Sequence, residues 1–110
     1  MAKTFDFNKL KPRTMTVTLS DEEKTTLVIM TPNKKLKDEL SYFNDNIADA
    51  DEDEALEALY EVTAKVMSRN SQNIEITSAK LKELYPDENY IVAFLEAYGE
   101  FVSELTNSKN

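Results

Sequence analysis

Residues 15–30, MTVTLSDEEKTTLVIM, decide the fold. Met15, Val17 and Leu19 alternate with Thr16 and Thr18, a period of two that predicts a half-buried strand. Thr25–Met30 (TTLVIM) predicts a second strand, nearly continuous in apolar character, and Ser20–Lys24 is a polar loop of hairpin length. A lone two-stranded hairpin is marginal in water and needs further elements to cover it.

Downstream the period changes from two to that of a helix. Thr31-Pro32 reads as a helix start, a hydroxyl N-cap followed by proline at the first helical position. Leu36, Leu40, Phe43 and Ile47 then fall on one helical face. Asp51 with Glu54 three residues on resembles a capping box opening a second helix, whose apolar face is Leu56, Leu59, Tyr60, Thr63, Val66 and Met67. Ile74 and Ile76 lie in a connector. Thr77 caps a brief helix, 78–85, which Pro86 stops, and Asp87 starts the last helix. The expectation is an α+β fold in one domain. It comprises a basic, aromatic lead-in arm at 1–13, a β-hairpin at 14–30, a bundle of three to four helices at 31–106 and a frayed tail at 107–110.

Composition narrows the function. The 110 residues include no His, Cys or Trp and a single glycine, Gly99. Acid–base and nucleophilic catalysis, metal binding and backbone phosphate cradles draw heavily on the missing types. The expectation is therefore no enzyme, no cofactor and no small-molecule substrate. With 13 basic and 21 acidic residues the net charge is −8, which repels nucleic acid and anionic membrane surfaces. The four cations of the arm (Lys3, Lys9, Lys11, Arg13) make a weak footprint for nucleic acid against that total. No apolar run approaches a membrane span and MAKTFDFNKL has no signal-peptide core, so the expected place is the cytoplasm.

Asp45–Glu61 holds eight carboxylates and no basic residue. Asp49, Asp51 and Asp53 have the opening spacing of a calcium loop. The sixth position is Glu54 where glycine is required, and the twelfth is Tyr60 where glutamate is required, so no metal site is expected. Acids at a helix N-terminus are favoured by the macrodipole without a ligand. In the last helix, Ile91, Phe94, Leu95, Tyr98, Phe101, Val102 and Leu105 form a stripe read as wider than one contact face requires. The surplus has two readings, a central helix buried on two sides or a surface for a partner or another subunit; for the second, the candidates are Ile91, Tyr98, Phe101 and Val102, since aromatic residues are enriched at interface hot spots. Gly99 inside this stripe fits a close helix crossing or a tolerated position without a packing role.

The stretches FDFNKLKPRTMTVTL (5–19), LVIMTPNKKLKDEL (27–40) and LKELYPDENYIVAFLEAYGEFVSEL (81–105) resemble the small tail assembly chaperones of long-tailed phages and prophages of Gram-positive bacteria. Residues 45–73 carry no part of the likeness. The resemblance implies a non-catalytic protein of the bacterial cytoplasm that binds the tape measure protein and keeps it soluble during tail assembly, with a homo-oligomer lengthening the binding surface. It also implies a longer product made by ribosomal frameshifting, and Ser108-Lys109-Asn110 is compatible with a slippery run of A in the gene. Two other readings are a minor structural tail or connector protein of the virion and a small phage-encoded regulator that binds another protein.

Overall fold

A computed structural model describes residues 3–6 and 13–107, with side chains described as far as Glu104. Phe7, Lys9, Leu10 and Lys11 of the lead-in, Leu105 as a side chain, and Ser108–Asn110 lie outside the described residues. Phe5 stands largely exposed, and Arg13 reaches Glu104 at 3.9 Å.

The hairpin forms as expected, with the strands displaced by one residue. Strand β1 (Thr14–Thr18) pairs antiparallel with β2 (Thr26–Met30), Thr16 opposite Val28. Leu19 closes the ladder by donating its N–H to the Thr25 carbonyl at 2.8 Å. In the loop Lys24 adopts φ 51°, a left-handed value that turns the chain. The Asp21 carboxylate holds the turn, accepting from the Thr25 N–H at 2.8 Å and from its hydroxyl at 2.6 Å. These bonds, then Lys80 at 3.4 Å, hold the Asp21 carboxyl below its ordinary pKa. Leu27 and Ile29 point inward and are buried.

The far edge of β2 is covered by residues 69–72. Met30 donates to the Arg69 carbonyl at 2.9 Å, Ser71 donates to the Val28 carbonyl at 3.0 Å, and the Gln72 carboxamide accepts from Val28 N–H at 2.8 Å. The exit of the second helix therefore serves as a short third strand, with Ile29 opposite Asn70. Asn70 is buried and fully used: its amide donates to the carbonyls of Met67 and Ile74, and its oxygen accepts from the N–H groups of Gln72 and Ile74. Asn73 takes φ 60° as the chain reverses. Nothing in the periodicity of 70–76 predicts this turn, because its bonds are polar and local.

The first helix, α1 (Lys34–Asn46), begins later than Thr31-Pro32 implies. Its N-cap is Asn33, whose side chain accepts from the Leu36 N–H at 2.9 Å. Proline biases Thr31 toward extended backbone, so the strand direction of β2 runs on through Pro32 and the better capping residue takes the cap. Pro32 is buried. A 3₁₀ turn (Ile47–Asp49) follows. Helix α2 (Glu52–Ser68) opens on the expected capping box, Asp51 accepting from Glu54 N–H at 2.8 Å and the Glu54 carboxylate accepting in return at 3.4 Å. Helix α3 (Ser78–Leu84) is capped by Thr77 and α4 (Glu88–Asn107) closes the fold.

Helix α2 is the centre of the molecule, touching β2, α1, α3 and α4. It buries Tyr60, Thr63, Val66 and Met67 on the expected face, and Val62 and Ala64 beside them. Leu56 and Leu59 are only half-buried, as is Phe94 of α4. One core joins Leu19, Leu27, Ile29, Leu36, Tyr60, Val66, Leu81, Ile91 and Tyr98. The buried Thr63 hydroxyl donates to the Leu59 carbonyl at 2.7 Å, so its burial leaves no unmet polar group. Tyr85 fastens α3 to the hairpin loop: its hydroxyl accepts from Ser20 N–H at 2.9 Å and donates to Ser20 Oγ at 3.1 Å.

Candidate functional site

The four residues expected to form a partner surface do not lie together on the outside. At about 100° per residue the stripe from Ile91 to Leu105 covers an arc of about 120°. Ile91 and Tyr98 sit at its middle, and they are 1% and 3% exposed. Ile91 is a core residue and is corrected as a partner surface by this burial, while Tyr98 is buried as well and offers only the edge that lines the groove described below. Phe101 and Val102 lie on opposite flanks of the arc, each half-buried against the core. The stripe is little wider than the roughly 100° that one packed face needs.

The aromatic residues of α4 stack along it. Phe94 and Tyr98 have ring centroids 6.2 Å apart at 24°, and Tyr98 and Phe101 are 6.2 Å apart at 46°. The Tyr98 hydroxyl is buried and finds no hydrogen-bond partner among the described residues. Burial pushes its pKa up to about 12, against a smaller opposing pull from the Arg69 guanidinium. Arg69 itself donates from Nε to the Thr31 carbonyl at 2.6 Å.

The Val102 flank opens on a groove of about 620 Å³ between α1 and α4. Its walls are Leu40 and Phe43 of α1 and Leu95, Tyr98 and Val102 of α4, with Val62 of α2 between them. The groove exists because α1 seats lightly: of Leu36, Leu40, Phe43 and Ile47, only Leu36 is fully buried. Gly99 lines the same groove, and a methyl group placed on it would meet nothing within 4 Å. The glycine therefore marks open space and no close helix crossing. Two of the four expected residues, Tyr98 and Val102, come together here. Leu40, Phe43 and Val62 complete the walls, and the sequence assigns the first two to the core face of their helix. Their single signal is that α1 carries a long apolar stripe opposite small or short partners.

On its other side α1 faces α2 across a second groove of about 570 Å³. Phe43 and Val62 belong to both grooves. A third depression, about 640 Å³, lies at the N-terminus of α1 and is lined mainly by polar and charged side chains such as Asn33, Glu61, Arg69 and Asn73. No group of three or more acidic, His or Cys side chains among the described residues is placed to hold a metal ion. Asp51 is engaged as the cap of α2. No helix among the described residues is long and apolar enough to cross a membrane. In comparisons with known proteins, no family model, no curated protein and no solved structure matches this chain.

Proposed function

We propose that this chain is a non-catalytic tail assembly chaperone that holds a helical segment of a tape measure protein in the apolar groove between α1 and α4, in the bacterial cytoplasm. The observation that carries the reading is the groove itself: Leu40, Phe43, Leu95 and Val102 form apolar walls that no element of the described chain fills. A trough between two helices fits the apolar stripe of a third. The exterior is compatible with a holdase, since a charge of −8 helps to keep a protein with an open apolar trough in solution. The sequence resemblance supplies the class of client.

Co-expression with the tape measure protein of the same gene neighbourhood tests this. The unmodified chain should bring the long helical client into the soluble fraction. Gly99→Leu, which places an isobutyl group in open groove space, should fold and fail to do so. Equal client solubility with folded Gly99→Leu would exclude the groove. Finding the chain as a stoichiometric part of purified particles would favour the minor structural reading instead.

A further inference from the structure

We propose that the second groove, between α1 and α2, is a separate docking site that selects a basic amphipathic helix: an apolar stripe flanked by lysine or arginine. The groove is lined by the side chains of Phe43, Ile47, Ala50, Ala58 and Val62. Tyr42 stands at its lip and is 72% exposed, the most exposed large apolar side chain among the described residues. Ala50 and Ala58 are too short to fill the space between the helices, so an apolar trough stays open along α1. A helix of 13 residues is about 20 Å long, which matches about three and a half turns of a partner helix.

The charges around the trough are net acidic, although Lys34 pairs with Asp38 at 2.9 Å, so Glu54 and Glu61 carry most of the field. Asp38, Glu39, Glu54 and Glu61 line it, and Lys65 is the single cation among its lining residues. Lys65 is already committed to Glu39 at 3.3 Å. Asp45, Asp49 and Asp53 continue the same sign along the adjoining turn. Such a field attracts a cationic helix, speeds its encounter and fixes its register, while the apolar floor and the Tyr42 ring supply the affinity. It also disfavours pairing of this groove with the same groove of a second copy, because that would set one acidic rim upon another. The acidic run 45–61 thus does more than cap and solvate α2. This site does not depend on the tape measure reading: it lies across α1 from the proposed client groove, and its test uses no phage protein.

The experiment is fluorescence anisotropy on the intact chain with three labelled peptides of about 18 residues, a length sufficient for the groove. One has a leucine stripe flanked by lysines. One has the same stripe flanked by glutamates. One has the lysine composition in scrambled order. The lysine-flanked helix should bind, weaken as salt is raised, and bind at least about tenfold more tightly than either other peptide. Tyr42→Ala should weaken it by about tenfold or more, and Glu61→Lys should weaken it and flatten its salt dependence. Both positions are exposed, and circular dichroism melts confirm that the variants fold. Equal binding of the glutamate-flanked or scrambled peptide would overturn the proposal. So would folded Tyr42→Ala binding as the parent does, or loss of binding in Gly99→Leu alone, which would place the peptide in the other groove. A dimer in sedimentation that Tyr42→Ala dissolves would show that a second copy occupies the site, and would equally overturn it.

Discussion

Replacing Gly99 by alanine should stabilise the protein. The position is interior to α4, eleven residues beyond its first residue Glu88. Glycine in a helix interior costs about 0.8–1 kcal/mol relative to alanine, because its backbone loses more freedom on folding. The usual offset is a clash where glycine has been kept for close approach. None applies here, since the added methyl meets nothing within 4 Å and φ is not in the left-handed region. The methyl enters an open groove, so its burial contributes only a fraction of the roughly 0.8 kcal/mol of a fully buried carbon. The net expectation is a gain of about 1 kcal/mol. In urea this moves the midpoint up by about 0.5 M with the slope unchanged, because the surface exposed on unfolding barely alters. In a thermal melt it raises Tm by about 4 °C for a domain of this size. Destabilisation of about 0.5 kcal/mol or more would mean that another helix lies against Gly99, and the α1–α4 groove would then not exist in solution.

Tyr98→Phe should raise stability by about 1 kcal/mol in the same melts, because it removes a buried hydroxyl that finds no partner among the described residues. The same hydroxyl gives a pH dependence: its folded pKa of about 12 lies above the ordinary value of 10, so its protonated form is favoured in the fold. That contribution is complete below pH 10 and is lost as pH rises from 10 toward 12, and denaturant midpoints should fall over that window less steeply in Tyr98→Phe than in the parent. Asn70→Ala should cost about 2–4 kcal/mol by urea titration, since four hydrogen bonds to backbone groups of the α2 exit lose their partner at once. Leu81→Ala, at a position with no exposure, should cost about 2–5 kcal/mol. Leu56→Ala, half-buried at the rim, should cost clearly less, and equal penalties would contradict the placement of the core.

The elements that periodicity and capping chemistry specify are legible in the sequence. The alternation at 15–19, the box formed by Asp51 and Glu54, and the hydroxyl of Thr77 are local signals, and each element appears within a residue or two of its expected bounds. Asn33 displaced Thr31 as a cap because two local preferences competed and the stronger capping side chain stood nearer the helix. The third strand-like segment at 69–72 is not legible in the sequence, since it depends on Ser71 and Gln72 meeting backbone groups of Thr26 and Val28 more than forty residues away. The stripe does not show that Ile91 and Tyr98 belong to the core, for a different reason. Counting apolar residues on α4 measures how much surface must be buried, but angular position within the arc decides which residues are buried first. The middle of the stripe goes to the core, and the Leu95–Val102 flank, with the edge of Tyr98, borders the groove.

Whether two helices leave a groove is a question of distance, and sequence patterns carry little distance information. Here the spacing follows from how α1 is tied. At its start, the Arg69 Nε bond to the Thr31 carbonyl, the buried Pro32 and the buried Leu36 fix it to the hairpin and to α2. At its end, the 3₁₀ turn runs through Ala50 directly into the Asp51 cap, leaving no slack between α1 and α2. A helix held at both ends cannot slide sideways to close a gap. The gap then depends on the side chains that face it, and those include Ala58 on α2 and Gly99 on α4. Larger residues there would fill both grooves and bury Leu40, Phe43 and Ile47 completely. The small residues leave them half-covered, so about 2 kcal/mol of burial per large side chain is only partly realised. That unrealised burial is the free energy a bound helix would recover.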